Sequence, residues 1–72
     1  MPPLPPAAQA VRDLRASLQQ TQEDFAREIG CTTSSVNRWE NGHAVPSKMA
    51  WATLRRLAVD NGFPTWGDAD EG

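Results

Sequence analysis

The sequence predicts an all-α protein, a compact bundle of four, at most five, short helices around one core. Apolar residues recur at helical spacing in four separate stretches, and most of these are bounded by capping residues, proline or glycine. No stretch shows the apolar–polar alternation of a strand, and there are no internal repeats. With 72 residues, the chain makes one small domain at most, near the lower limit for a core that folds unaided.

The opening "MPPLPP" is not helical, because four prolines in six residues remove donors and fix φ. Residues 1–6 are therefore read as a flexible, extended tail, too short to favour a proline-rich ligand. From Pro6 to Leu18 the pattern is helical. Val11, Leu14 and Leu18 recur at i, i+3 and i+7, with Ala7 and Ala10 on the same side.

A second helix begins after Thr21, a good N-cap with Asp24 three residues on, and Glu23 and Asp24 suit the positive end of its dipole. Phe25, Ala26 and Ile29 make its inner stripe, and Gly30 sits where a left-handed φ ends a helix.

Thr32 caps a third helix, which Gly42 ends as Gly30 ends the second. Val36, Trp39 and Glu40 share one side of it. At 100° per residue Ser34, Arg38 and Asn41 fall opposite, with Asn37 at their margin. "HAVPS" is a connector. Ser47 caps a fourth helix with Trp51, Leu54, Leu57 and Ala58 inward, and "DNGFP" stops it. These helices fill a domain over residues 7–62. Residues 63–72 form a C-terminal segment with a loose acidic end, in which Phe63 and Trp66 either plug the core, the favoured alternative, or make an apolar dimer contact.

Composition narrows the function. Hydrophobic content of 39% and charged content of 22% are ordinary for a globular protein. The net charge is −2, but residues 1–59 hold seven Lys/Arg against five Asp/Glu, and the other four acidic residues follow. The body is mildly basic, so nucleic acid remains a partner class, with modest nonspecific affinity. One Cys, Cys31, and one His, His43, exclude an internal disulfide and a zinc site. Cys31 reads as a small core residue. No nucleophile–base pair is apparent, so the chain is not read as an enzyme, and nothing calls for a metal or cofactor. "GDADEG" lacks the length of a calcium loop. No apolar run reaches the roughly 20 residues that span a bilayer, and "MPPLPPAAQA" lacks a signal peptide's basic start. A cytoplasmic protein is expected.

Helix two, a short glycine turn and helix three with a polar outer face make a helix-turn-helix. The run "TQEDFAREIGCTTSSVNRWENG" resembles the phage repressor/Cro type of DNA-binding domain, the XRE family. Thr21, Gln22, Ala26, Gly30, Trp39, Glu40, Gly42, Pro46 and Ser47 match that family's pattern, while Phe25, Cys31 and Val36 replace its Leu, Val and Ile. With flanking helices, the resemblance covers about residues 8–60 and implies a repressor-like bundle.

The resemblance also implies roles. The start of helix three, residues 33–41, would enter the major groove of double-stranded DNA. Thr33, Ser34 and Arg38 would read bases, with Ser35 and Asn37 flanking. Arg38 suits guanine O6 and N7, and Thr33 a thymine methyl group. Gln22 is the family's recurrent phosphate ligand. The amides at Thr21 and around Ser47 and Lys48 are natural anion sites, and Asn41 and His43 lie near the expected backbone path. From face composition alone, a solvated polar surface is an equal reading.

Glu40 lies on the inner side, where an unpaired carboxylate is costly. Family members pair this Glu with an Arg near the end of helix one, which implies an Arg15–Glu40 ion pair. A single domain offers few base contacts, so a homodimer on a palindromic operator is expected, with half-sites about 34 Å apart. Small relatives include phage regulators and antitoxins that repress their own operon. The latter would bring a cognate toxin as protein partner. The alternative is a protein-bridging module on the same scaffold with little DNA affinity, favoured by the low positive charge, the acidic tail, Phe63 and Trp66.

Overall fold

Pro6 begins the first helix, α1, Pro6–Ser17, where a missing N–H removes only a donor that the first turn leaves unpaired anyway. The computed structural model describes residues 6–67. The rest of the proline-rich tail and the acidic end beyond Gly67 lie outside the described residues. After α1 come α2, Gln22–Ile29, α3, Thr33–Glu40, and α4, Lys48–Asp60. No strand occurs among the described residues.

Three helices are opened by the side chain that the sequence nominates. Thr21, Thr32 and Ser47 all have extended backbone, and each hydroxyl accepts from the amide three residues on, at Asp24, Ser35 and Ala50. The helix ends share one device, the turn in which a residue past the end folds back to a carbonyl five positions earlier. Cys31, His43 and Phe63 donate in this way to Ala26, Arg38 and Ala58, all at 2.9 Å. Gly30, Gly42 and Gly62 supply the left-handed φ that each turn needs. At the end of α1 the residue in that place is Gln19, with φ 55°, and Gln20 donates to Arg15 at 3.3 Å. Nothing in the sequence signals this fourth turn, because a side chain stands where glycine is the usual occupant.

α3 packs against both α1 and α2, and α4 closes the core from the side of α2. Val11 and Leu14 of α1, Phe25, Ala26 and Ile29 of α2, Val36 and Trp39 of α3, and Leu54 and Ala58 of α4 form one buried cluster. Leu18, Cys31, Trp51, Leu57 and Trp66 pack around it, half-buried. On α1 the fully buried alanine is Ala8, while Ala7 and Ala10 are only half-covered.

The chain after α4 makes a turn over residues 64–67, with no fifth helix among the described residues. Trp66 stacks on Trp51 with ring centroids 4.9 Å apart, and its Nε1 donates to the Ala10 carbonyl at 2.9 Å. Gly67 has φ 79°, and a Cβ there would lie 3.1 Å from Trp51 Cζ2. Trp66 is thus a plug joining the C-terminal turn to α1 and α4. Phe63, 38% exposed, is not part of it.

Candidate nucleic-acid interface

The link from α2 to α3 is three residues long, Gly30, Cys31 and Thr32, so α3 leaves the turn in a fixed direction. Ala26 is buried on α2, and its small side chain lets the two helices approach closely. Val36, Trp39 and Glu40 then face inward.

Glu40 is 3% exposed and is the one buried charged residue among those described. Arg15 Nε donates to its Oε2 at 2.7 Å, and Arg15 Nη2 to its Oε1 at 3.0 Å. Gln22 Nε2 adds a third bond to Oε1 at 3.2 Å. The remaining Arg15 nitrogen, Nη1, donates to the Gln20 carbonyl at 3.0 Å. One guanidinium therefore ties the end of α1, the following turn and α3 together. The bond to Glu40 raises the Arg15 pKa above its ordinary value, opposed by burial and aided by the carboxylate charge. A raised pKa on a cation means that its contribution to stability is complete below the normal arginine range. It is lost only as pH rises through the still higher folded value.

The other side of α3 has few internal commitments. Thr33, Ser34, Asn37, Arg38 and Asn41 are exposed. Thr33, Ser34 and Arg38 form no side-chain hydrogen bond or ion pair with another described residue, and the same is true of His43 in the connector and Lys48 at the start of α4. Helical geometry places Thr33, Ser34, Asn37 and Arg38 along one surface.

Ser35 lies elsewhere. It is half-buried beside the cap, where its hydroxyl accepts from Thr32 Oγ1 at 3.0 Å, so the structure separates it from the other nominated readers. At 100° per residue it falls on the flank of α3, where the cap claims it. Asn41 Nδ2 is held by the Asn37 carbonyl at 2.8 Å. Thr21 and Ser47 serve as caps, each at the open end of a helix.

Gln22 is more engaged than its sequence position foretells. It is half-buried, and besides donating to Glu40 it accepts from Asn37 Nδ2 at 3.4 Å. The spacing of 18 residues to Glu40 carries no periodic signal, so only the packing of α2 on α3 exposes this link.

Among the described residues no three of His, Cys, Asp and Glu gather as a metal site, and no helix is long and apolar enough to cross a membrane. The surface that gathers polar groups is the outside of α3. A family model described as a helix-turn-helix domain matches residues 7–60. The chain belongs to this helix-turn-helix family. The family is of the repressor/Cro kind, and its domains are typically binding units rather than enzymes. Membership points to double-stranded DNA binding by a regulator. No curated protein and no solved structure matches this helix-turn-helix chain.

Proposed function

We propose that the chain is a sequence-specific DNA-binding regulator that lays α3 in the major groove and represses transcription from a palindromic operator as a homodimer. The observation that carries this reading is the contrast within α3. Its inner polar group is satisfied three times over, while Thr33, Ser34 and Arg38 on the outside have no side-chain partner among the described residues. Arg38 gives the bidentate contact to guanine. Ser34 bonds to base edges or phosphate, and Thr33 meets a thymine methyl group. The N-termini of α2 and α4, at Thr21 and Ser47–Lys48, face phosphates together with Asn41 and His43.

Few cations accompany Arg38, so affinity relies on two half-sites and falls only modestly with salt. An autoregulatory phage-like or antitoxin-like role fits this size, the latter adding a toxin as protein partner.

Selection of purified protein against random duplex DNA at low salt tests the proposal. The expected result is an enriched palindrome that relaxes at one position in each half-site with Arg38→Ala. Enrichment of no sequence at any salt sinks it.

A second reading, a protein-bridging module, draws on the connector and the start of α4, where Val45 and Met49 are 71% and 81% exposed. Partner binding that survives Arg38→Ala and fails with Met49→Lys would favour that role.

A further inference from the structure

We infer that Asn37 is a preset adenine reader and that Gln22 is the positioning residue that presets it. This rests on the groove-reading role proposed above for α3. The starting point is the direction in which the hydrogen bonds must run. Glu40 accepts three of them, two from Arg15 and one from Gln22 Nε2. An ionised carboxylate paired with a guanidinium has no proton to give. Gln22 must therefore turn its NH2 group toward Glu40, which leaves Oε1 as the free end of the same amide.

That oxygen accepts from Asn37 Nδ2 at 3.4 Å. Asn37 has no choice of orientation either, since an acceptor on Gln22 calls for its nitrogen. Amide oxygen and nitrogen are ordinarily told apart only by their partners. Here the sense of both amides is dictated by the Arg15–Glu40 pair at the head of the chain. The polarity of a buried ion pair thus reaches an amide on the surface.

What Asn37 presents outward is the remainder of that amide. Its Oδ1 bonds no other described residue, and one N–H of Nδ2 is left over. An acceptor beside a donor complements N6–H and N7 of adenine in the major groove. Guanine offers two acceptors there and cytosine a donor, so neither matches the pair. Asn37 adjoins Arg38 on α3, at the margin of the outer face, so it reads a base different from the guanine assigned to Arg38.

The test is duplex selection at low salt with the full chain and four variants, Asn37→Ala, Asn37→Asp, Gln22→Met and Arg38→Ala. Methionine keeps the length of Gln22 but neither donates to Glu40 nor accepts from Asn37. The expected operator carries an adenine whose preference, on the order of tenfold or more, is lost in Asn37→Ala. Gln22→Met relaxes that same position several-fold, while Arg38→Ala relaxes another. Asn37→Asp, an exposed change that does not depend on how the core tolerates methionine, turns the preference from adenine to cytosine, because a carboxylate accepts from N4 and has nothing to donate to N7.

Gln22→Met that weakens binding evenly while leaving the motif intact would make Gln22 a phosphate ligand only, and would overturn the positioning role. A wild-type motif that Asn37→Ala and Asn37→Asp both leave unchanged overturns the reader. A wild-type chain that enriches no motif removes the groove-reading role itself, and this inference with it.

Discussion

Each side of α3 carries a charged residue, and the two sides differ in what their polar atoms do. On the inner side Glu40 is buried, and both its oxygens are taken up by Arg15 and Gln22. On the outer side Thr33, Ser34 and Arg38 are exposed and bond to no other described residue. Charge alone does not separate the two faces, since Glu40 lies on one and Arg38 on the other. Partnering does. A polar group satisfied within the fold contributes to stability, and an unsatisfied one on a rigid helix is available to something outside.

The comparison breaks most visibly on the inside. Arg15→Ala leaves Glu40 buried without its cation, which is expected to cost about 3 kcal/mol or more. For a domain of this size that lowers Tm by roughly 15 °C, readable in a thermal melt followed by circular dichroism. Replacing both partners, as Arg15→Met with Glu40→Leu, should recover most of that loss, because no charge then remains unpaired. A double variant as unstable as the single one would show that the pair does more than satisfy itself.

Arg38→Ala is the matching change on the outside. It should alter Tm by less than about 2 °C, being an exposed surface substitution, while weakening binding to the selected operator by about 1–3 kcal/mol in a titration. A large loss of stability here would mean that Arg38 supports the fold after all.

Two further changes sharpen the contrast from elsewhere in the molecule. Trp66→Ala removes the stack on Trp51 and the bond to Ala10, at a cost of about 2 kcal/mol, and should leave the operator sequence unchanged. Gln19→Gly relieves a left-handed φ on a residue with a Cβ and should raise stability by about 0.5–1 kcal/mol, visible as a small rise in the denaturant midpoint.

Much of this architecture is legible in the sequence because it is local. Thr21, Thr32 and Ser47 cap helices through bonds three residues long, and Gly30 and Gly42 mark left-handed turns that few other residues adopt easily. The outer face of α3 follows from 100° per residue. Other features stay hidden for equally physical reasons. Gln19 makes the same turn as the glycines without the residue that announces it. Trp66 reaches Ala10 across 56 residues from a segment with no periodicity, so only the assembled fold shows which role it takes. Gln22 resembles a phosphate ligand by position, and its bonds to Glu40 and Asn37 exist only because α2 lies on α3. Ser35 sits beside the proposed readers in sequence, yet its hydroxyl accepts from the Thr32 cap.

The stacked pair of Trp51 and Trp66 also gives the molecule an optical signature. Two indoles with centroids 4.9 Å apart and planes inclined by 30° are close enough for their transitions to couple, whereas Trp39 sits in the core behind the exposed face of α3. Near-ultraviolet circular dichroism should therefore report the closing of the C-terminal turn, and Trp39 emission the environment behind α3. With no dye attached, the chain can show whether its C-terminal turn and α3 respond to a ligand together or one at a time.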